Sequence, residues 1–280
     1  MQKPTILVLG ASGRIGAILR KCWSLEQVIW QARGKPGPGW VDIDPLSQPE
    51  ALARAATGCT AILCLAGVVP GRLGQGGNLG DNITLAEAAV RASAASGAAS
   101  GALVFLASSA AVYGNQPGLL EETAPLKPIN AYGRAKADME ARGAALGSEL
   151  GVRVCALRIA NIAGIDAILG GWKPGFRLDQ FPDGRTPRRS YIGVQTLARV
   201  LGDLMGATDL PDALNIACPG TVEMGALLDS AGLAWGPRPA PDCAIEEVNL
   251  STRALQRIMT LEQASATSLV AQWNRLKTLK

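Results

Sequence analysis

The 280-residue chain contains no histidine, few aromatic residues and little charge. The missing imidazole excludes a Ser-His-Asp triad, a Cys-His dyad and any His-ligated zinc or iron. Charged residues make up 18% of the chain, 27 basic and 23 acidic, scattered along its length. A net charge of +4 spread so thinly is no nucleic-acid footprint. With 48% hydrophobic residues the chain is not disordered either. Long apolar runs are missing too: no stretch of about 18 residues escapes Gly, Pro or charge, which argues against a transmembrane helix. Met1-Gln2-Lys3-Pro4-Thr5 leads into a short apolar run ending in glycine, without a cleavage site. That start reads as a first strand, not a signal peptide. The six cysteines (Cys22, Cys59, Cys64, Cys155, Cys218, Cys243) include no C-x-x-C pair. They read as free, mostly buried thiols of a reducing compartment. The expectation is a cytoplasmic protein with a small-molecule substrate and no metal, nucleic-acid or membrane partner.

What is present has a clear rhythm. Short apolar runs at Thr5 to Leu9, Val28 to Gln31, Ala61 to Leu65, Ala102 to Ala107 and Arg153 to Ile159 alternate with longer Ala-rich stretches. All but the second are nearly continuous in Val, Ile, Leu and Ala, as strands buried on both faces must be. Helical patterns fall at Leu85 to Ser96, Ala131 to Leu146, Val194 to Met205 and Met224 to Ala231. Gly and Pro cluster from Gly170 to Pro187. The pattern predicts an α/β fold: a doubly wound, Rossmann-like parallel sheet with a small C-terminal substrate lobe. Residues 1–160 form the dinucleotide-binding core in this reading. Residues 161–280 form a capping lobe partly interleaved with it.

The strongest local signal is Gly10-Ala11-Ser12-Gly13-Arg14-Ile15-Gly16, which follows the first strand and opens a helix. Such a turn brings backbone close to a pyrophosphate, and the helix N-terminus supplies donors and a positive dipole. The second strand ends Gln31-Ala32-Arg33, without the carboxylate that binds an adenosine ribose. A carboxylate would repel a 2′-phosphate, whereas a guanidinium pairs with it. Arg33, joined by Arg14, therefore favours NADP over NAD.

Ser109, in Ser108-Ser109-Ala110-Ala111-Val112-Tyr113-Gly114, precedes Tyr132 and Lys136. The last two are four apart and share one face of a helix. An ammonium near a phenol stabilises the phenolate and makes the tyrosine a usable acid/base. A serine hydroxyl at a strand end can hold the same substrate oxygen.

In these pieces the chain resembles an extended short-chain dehydrogenase/reductase of the NAD-dependent epimerase/dehydratase family. Other matching pieces are Asp42 after the third strand, Leu65-Ala66-Gly67 after the fourth, Asn82 on the following helix and Leu157-Arg158-Ile159-Ala160-Asn161. Arg189-Ser190-Tyr191-Ile192-Gly193-Val194 resembles the family's Arg-Asp-Phe-Ile-His-Val segment. The resemblance runs in order over about residues 5 to 200. It implies Ser109, Tyr132 and Lys136 as the catalytic set, with Tyr132 exchanging a proton while hydride passes to or from a nicotinamide. It also implies that Lys136 holds the nicotinamide ribose and tunes Tyr132. Gly10, Ser12, Gly13, Arg14, Ile15, Gly16, Arg33, Asp42, Leu65, Ala66, Gly67 and Asn82 would line the cofactor, Asp42 against adenine. Asn161 would contact substrate and Arg189 a substrate phosphate. A homodimer through the helices carrying Leu85 to Ser96 and Tyr132 to Leu146 is a further implication.

Departures narrow the chemistry. Dehydratases of the family carry an Asp-Glu pair after the catalytic hydroxyl, and decarboxylases a Glu. Ala110 and Ala111 stand there and cannot do acid/base work. Reversible oxidation at one carbon remains, either as a sugar-nucleotide epimerase or as an NADPH-dependent carbonyl reductase. A non-catalytic dinucleotide sensor is the third alternative. Arg33 leans toward the reductase, Arg189 toward the sugar nucleotide. The chain reads as short for a full nucleotide-sugar lobe, and Gly71 to Gly80 hints at an adapted pocket.

Overall fold

A computed structural model describes residues 5–23, 27–35, 37–69, 78–96 and 102–278. Most of the glycine-rich stretch from Gly71 onward therefore lies outside the described residues. Seven parallel strands form the central sheet: β1 (Ile6–Leu9), β2 (Val28–Ala32), β3 (Trp40–Asp42), β4 (Ala61–Cys64), β5 (Leu103–Ser109), and, after the short β6 (Leu119–Leu120), β7 (Val154–Ile159) and the later β12 (Ala213–Ile216). Their spatial order is β3-β2-β1-β4-β5-β7-β12. The order reverses direction between β1 and β4, which opens a crevice at the C-terminal strand ends.

Alternate residues of each strand feed opposite cores, which is why the strands read as continuous apolar runs. Ile6 and Val8 join a cluster with Ile18, Leu19, Leu197 and Leu201. Those side chains belong to helices α1 (Arg14–Cys22) and α5 (Val194–Met205). Leu7 and Leu9 face the other way, toward Leu52, Ala86, Val90 and Met139. Those come from α2 (Pro49–Ala56), α3 (Asp81–Ala95) and α4 (Ala131–Leu150). The sheet is thus covered on both faces, the doubly wound arrangement the apolar rhythm predicts.

Beyond β7 the chain adds short strands that belong to three small sheets: β8 (Asn161–Ile162), β9 (Arg177–Gln180), β10 (Arg188–Arg189) and β11 (Tyr191–Ile192). It then returns to the main sheet through α5 and β12. Next come β13 (Val222–Glu223), α6 (Met224–Ser230), β14 (Gly236–Pro239), β15 (Glu247–Leu250), α7 (Arg253–Ile258) and α8 (Ala266–Thr278). The lobe has its own core of Leu169, Leu178, Tyr191, Leu227, Leu228 and Leu269. Among the described residues, no helix is long and apolar enough to cross a membrane.

Candidate active site

The glycine turn sits where β1 leaves the sheet. Gly10 adopts φ +74°, and a Cβ there would lie 2.6 Å from the Ala66 backbone nitrogen, so the turn and the loop after β4 close tightly on each other. Gln31, buried in β2, pins this turn: its Oε1 accepts from the Gly10 N–H at 2.9 Å, and its Nε2 donates to the Ile43 carbonyl. Gly13 caps α1 without any side-chain hydrogen bond, and no acidic residue occupies the first helical turn. The first turn of α1 lines the crevice and has no side-chain hydrogen bond at its cap.

From this turn a cleft of about 740 Å³ runs across the strand ends. One wall carries Leu65, Ala66 and Gly67; the far end carries Ser109, Tyr132, Lys136 and Asn161. Gly67 is held against Asn82, whose side chain accepts from Val68 N–H at 3.2 Å and donates to the carbonyls of Val68 and Leu79. Asn82 itself is buried behind the loop and does not line the cleft.

Tyr132 lies in the first turn of α4, which is set by Asn130: its side chain accepts from the Gly133 N–H at 2.8 Å. Gly133 packs on the Ala111 carbonyl so closely that a Cβ would stand 2.4 Å from it. Tyr132 and Ser109 both line this end of the cleft. Burial pushes the phenol above its ordinary value, opposed by Ser109 and the Arg14 charge. Spacing alone points to Lys136 as the cation acting on this phenol. In the structure Lys136 Nζ lies 6.0 Å from the ring centroid and donates to the Ala107 carbonyl at 2.8 Å. Burial lowers its pKa to about 8, with Cys64 and Glu140 opposing.

Arg14 and Arg33 both line the cleft, but they take different partners. Arg14 Nη1 donates to the Ile165 carbonyl at 2.6 Å, reaching across to the lobe. Arg33, with its side chain 76% exposed, pairs with Asp44 at 3.7 Å beside Ala32, the last residue of β2. Asp42 does not line the cleft; it accepts from the Gly34 N–H at 2.7 Å, and Asp44, Pro45 and Leu46 form that wall instead. Arg189 is also absent from the lining: its guanidinium donates to the carbonyls of Arg188, Ile245 and Glu246.

Three groups escaped sequence reasoning. Ser108 lines the cleft and donates to the buried Glu140, which pairs with Arg158. Gln31 interrupts an apolar strand, a signal that a buried polar partner exists. Asp166 lines the cleft near Asn161 and accepts from Tyr191.

A family model described as the NAD dependent epimerase/dehydratase family matches residues 6–168. No curated protein sequence matches the chain. Among solved structures, the chain is similar to a UDP-N-acetylglucosamine 4-epimerase from Methanobrevibacter ruminantium in complex with UDP-N-acetylmuramic acid, at TM-score 0.77, 18% identity and 99% coverage of each chain. It is similar to the Thermus thermophilus UDP-glucose 4-epimerase complex with NAD, at TM-score 0.75 and 18% identity, covering 97% of this chain and 98% of that one. MoeE5 in complex with UDP-glucose and NAD aligns at TM-score 0.76 and 22% identity, covering 98% and 99%. At these identities the likeness is one of fold. Its extent corrects one expectation: the chain is not short beside these structures, because the alignment takes in the C-terminal lobe.

Proposed function

Because the chain belongs to the NAD dependent epimerase/dehydratase family, we propose that it oxidises and reduces a single carbinol or carbonyl carbon of a sugar nucleotide, as an epimerase. The observation that carries this reading is the placement of Ser109, Tyr132 and Lys136 together on one cleft that is continuous with the glycine turn. The cleft fits a nicotinamide dinucleotide: a side chain at Gly10 would collide with Ala66, and the uncapped first turn of α1 offers N–H donors to a diphosphate. When bound, that group supplies hydride exchange with the reacting carbon.

The chain's own residues do the rest. Ser109 and Tyr132 hold the substrate oxygen, and Tyr132 gives up or takes the proton as the carbon is reduced or oxidised. Lys136, fixed on Ala107, holds the ribose beside it. Ala110 and Ala111 offer no acid or base to a neighbouring carbon, so the chemistry stops at one centre. The solved structures in complex with UDP-glucose or UDP-glucuronic acid and NAD support the substrate class by likeness of fold. A Tyr132→Phe variant tests the reading: it should bind cofactor nearly normally and lose UDP-glucose/UDP-galactose interconversion by about two orders of magnitude or more. Wild-type turnover in that variant would sink it.

A specific observation favours a second reading, an NADPH-dependent carbonyl reductase. Ala32 ends β2 where a carboxylate would repel a 2′-phosphate, and Arg33 stands free enough beside it to pair with one. NAD retained through purification supports the epimerase; NADPH that binds and exchanges freely supports the reductase. The six cysteines are unpaired, in keeping with a cytoplasmic location. We place the homodimer contact on α3 and α4, which are bridged by Arg142 and Glu87 at 2.7 Å; sedimentation at micromolar concentration tests it.

A further inference from the structure

Arg14 and Ile165 are 151 residues apart in the chain and meet at the cleft. Arg14 stands in the first turn of α1, and its Nη1 donates to the Ile165 carbonyl at 2.6 Å. Both residues line the cleft, and the bond between them is exposed, so it lies at the rim. Among the described residues no carboxylate pairs with Arg14. Its partner is a neutral carbonyl of the lobe.

Strand order gives this bridge its span. The glycine turn follows β1, and Ile165 follows β8, the short strand after β7. In the sheet, β4 and β5 lie between β1 and β7. A dinucleotide laid from Ala32 at the end of β2 to Ser109 at the end of β5 passes the glycine turn and then the ends of β4 and β5. The bridge joins the two sides of that same stretch, where the nicotinamide half would lie.

The two ends of the bridge differ in stiffness. The N–H groups of Ile165 and Asp166 both donate to the Ile162 carbonyl at 3.1 Å. Asp166 Oδ1 accepts from the N–H groups of Leu169 at 3.0 Å and Gly170 at 3.2 Å, and its Oδ2 accepts from the buried Tyr191 hydroxyl at 3.1 Å. Gly164 just before takes φ +98°, and a Cβ there would collide with the ring of Trp273 in α8. The carbonyl is therefore fixed by its surroundings, whereas Arg14 hangs on a flexible stem. Swinging that one side chain opens the bridge without moving the backbone.

We propose that Arg14 closes on the Ile165 carbonyl as a clasp over the nicotinamide half of a bound dinucleotide, and that this contact, seated by Asp166 as a positioning residue, sets how long the cofactor stays. This rests on the reading of the cleft as a dinucleotide site and requires no particular substrate. A clasp slows entry and exit alike, because both need it open. A guanidinium that instead held a cofactor phosphate would speed entry and slow exit.

Stopped-flow fluorescence with NADH and NADPH reads both rates on the intact protein. In Arg14→Met the dissociation rate should rise about fivefold, the factor of one exposed hydrogen bond. Association should become faster as well, so that Kd rises by less than the dissociation rate. Asp166→Ala should repeat this with Arg14 intact, and Tyr191→Phe, a milder loosening of the same loop, should move the rates in the same direction. Arg14→Met combined with Asp166→Ala should release cofactor no faster than Arg14→Met alone, whereas a merely structural role for Asp166 would add its own effect. Slower association in Arg14→Met, with Kd rising at least as much as the dissociation rate, would overturn the clasp and make Arg14 a phosphate contact. An unchanged dissociation rate would overturn it too. If neither reduced cofactor binds wild type, the dinucleotide reading falls and takes the clasp with it. If the rates respond as expected but no UDP-sugar is turned over, the clasp stands and only the sugar-nucleotide reading falls.

Discussion

Glu140 and Arg158 meet in a buried ion pair, with Arg158 Nη2 2.8 Å and Nε 3.0 Å from Glu140 Oε2. The pair joins α4 to β7 behind the Ser109 and Tyr132 end of the cleft. Ser108 donates to the same carboxylate, and Arg158 Nη1 donates to the Tyr113 hydroxyl at 2.9 Å and the Glu122 carbonyl at 2.7 Å. Tyr113 continues to Asn215 at 2.7 Å, whose amide holds the carbonyls of Leu120 and Ser251. One network thus ties the strand bearing Ser109 and the helix bearing Tyr132 to the edge of the lobe.

Breaking a buried pair from one side leaves an uncompensated charge. Glu140→Gln should therefore lower unfolding stability by about 3–5 kcal/mol, more than Glu140→Gln combined with Arg158→Met. Urea midpoints of wild type and the two variants check it. A single variant no less stable than the double would show that the guanidinium finds water or another acceptor.

Burying the Lys136 ammonium costs stability. Its pKa falls from 10.5 unfolded to about 8 in the native state because burial disfavours the ammonium. Between those two pH values the unfolded chain binds more protons, so stability rises with pH across this window. Below about 8 both states are protonated and the full penalty remains. Wild type should gain on the order of 1–3 kcal/mol relative to Lys136→Met between about pH 7.5 and 10.5. Parallel denaturation curves at the two pH values decide it, and a constant gap would mean the lysine is better solvated than its burial implies.

Gly193 stands where the family segment has histidine, and the structure gives the reason. A Cβ at 193 would lie 2.2 Å from Gln272 Oε1. That oxygen, contributed by α8, accepts from the N–H groups of Gln195 at 3.1 Å and Thr196 at 3.0 Å and so caps α5 from outside its own segment. Gln272→Ala should cost about 1–2 kcal/mol, the range of a lost helix cap. Gly193→Ala should destabilise wild type yet be tolerated better in the Gln272→Ala background. Additive losses in thermal melts would argue against the shared space.

The main sheet was legible because β1, β4, β5 and β7 are apolar on both faces, a pattern few other structures produce. The β12 strand was not, since Asn215 interrupts an already short run and its polarity makes sense only beside Tyr113 and Leu120. The two-residue strands of the lobe are too short to carry a period. Within the site, residues adjacent in sequence were found readily: the glycine turn, and Tyr132 with Lys136 one turn apart. Relations across the fold were not visible. Arg14 was read as a partner for Arg33, but its guanidinium reaches Ile165, a residue brought near only by the lobe. The Asp166–Tyr191 contact likewise depends on the β8–β11 pairing, which no local pattern announces.

On the reading of the cleft as a dinucleotide site, we propose that cofactor choice turns on one small residue. Ala32 closes β2 with no charge, and Arg33 follows it with the Asp44 carboxylate as its partner. A 2′-phosphate would compete with Asp44 for that guanidinium, and an exposed pair 3.7 Å apart offers weak resistance. Arg33→Ala should therefore weaken NADPH binding about tenfold while leaving NADH nearly unchanged. Ala32→Asp should do more, repelling the phosphate and accepting the ribose hydroxyls, so that NADH overtakes NADPH. Arg14→Ala should weaken both cofactors to a similar extent, because its side chain is committed to Ile165 at the other end of the cleft. Fluorescence titration of the three variants with both reduced cofactors separates these outcomes. If Arg14→Ala were the variant that changed the NADPH/NADH ratio, the phosphate would have to sit on the lobe side of the glycine turn, and the assignment of the adenosine end to Ala32 would be wrong.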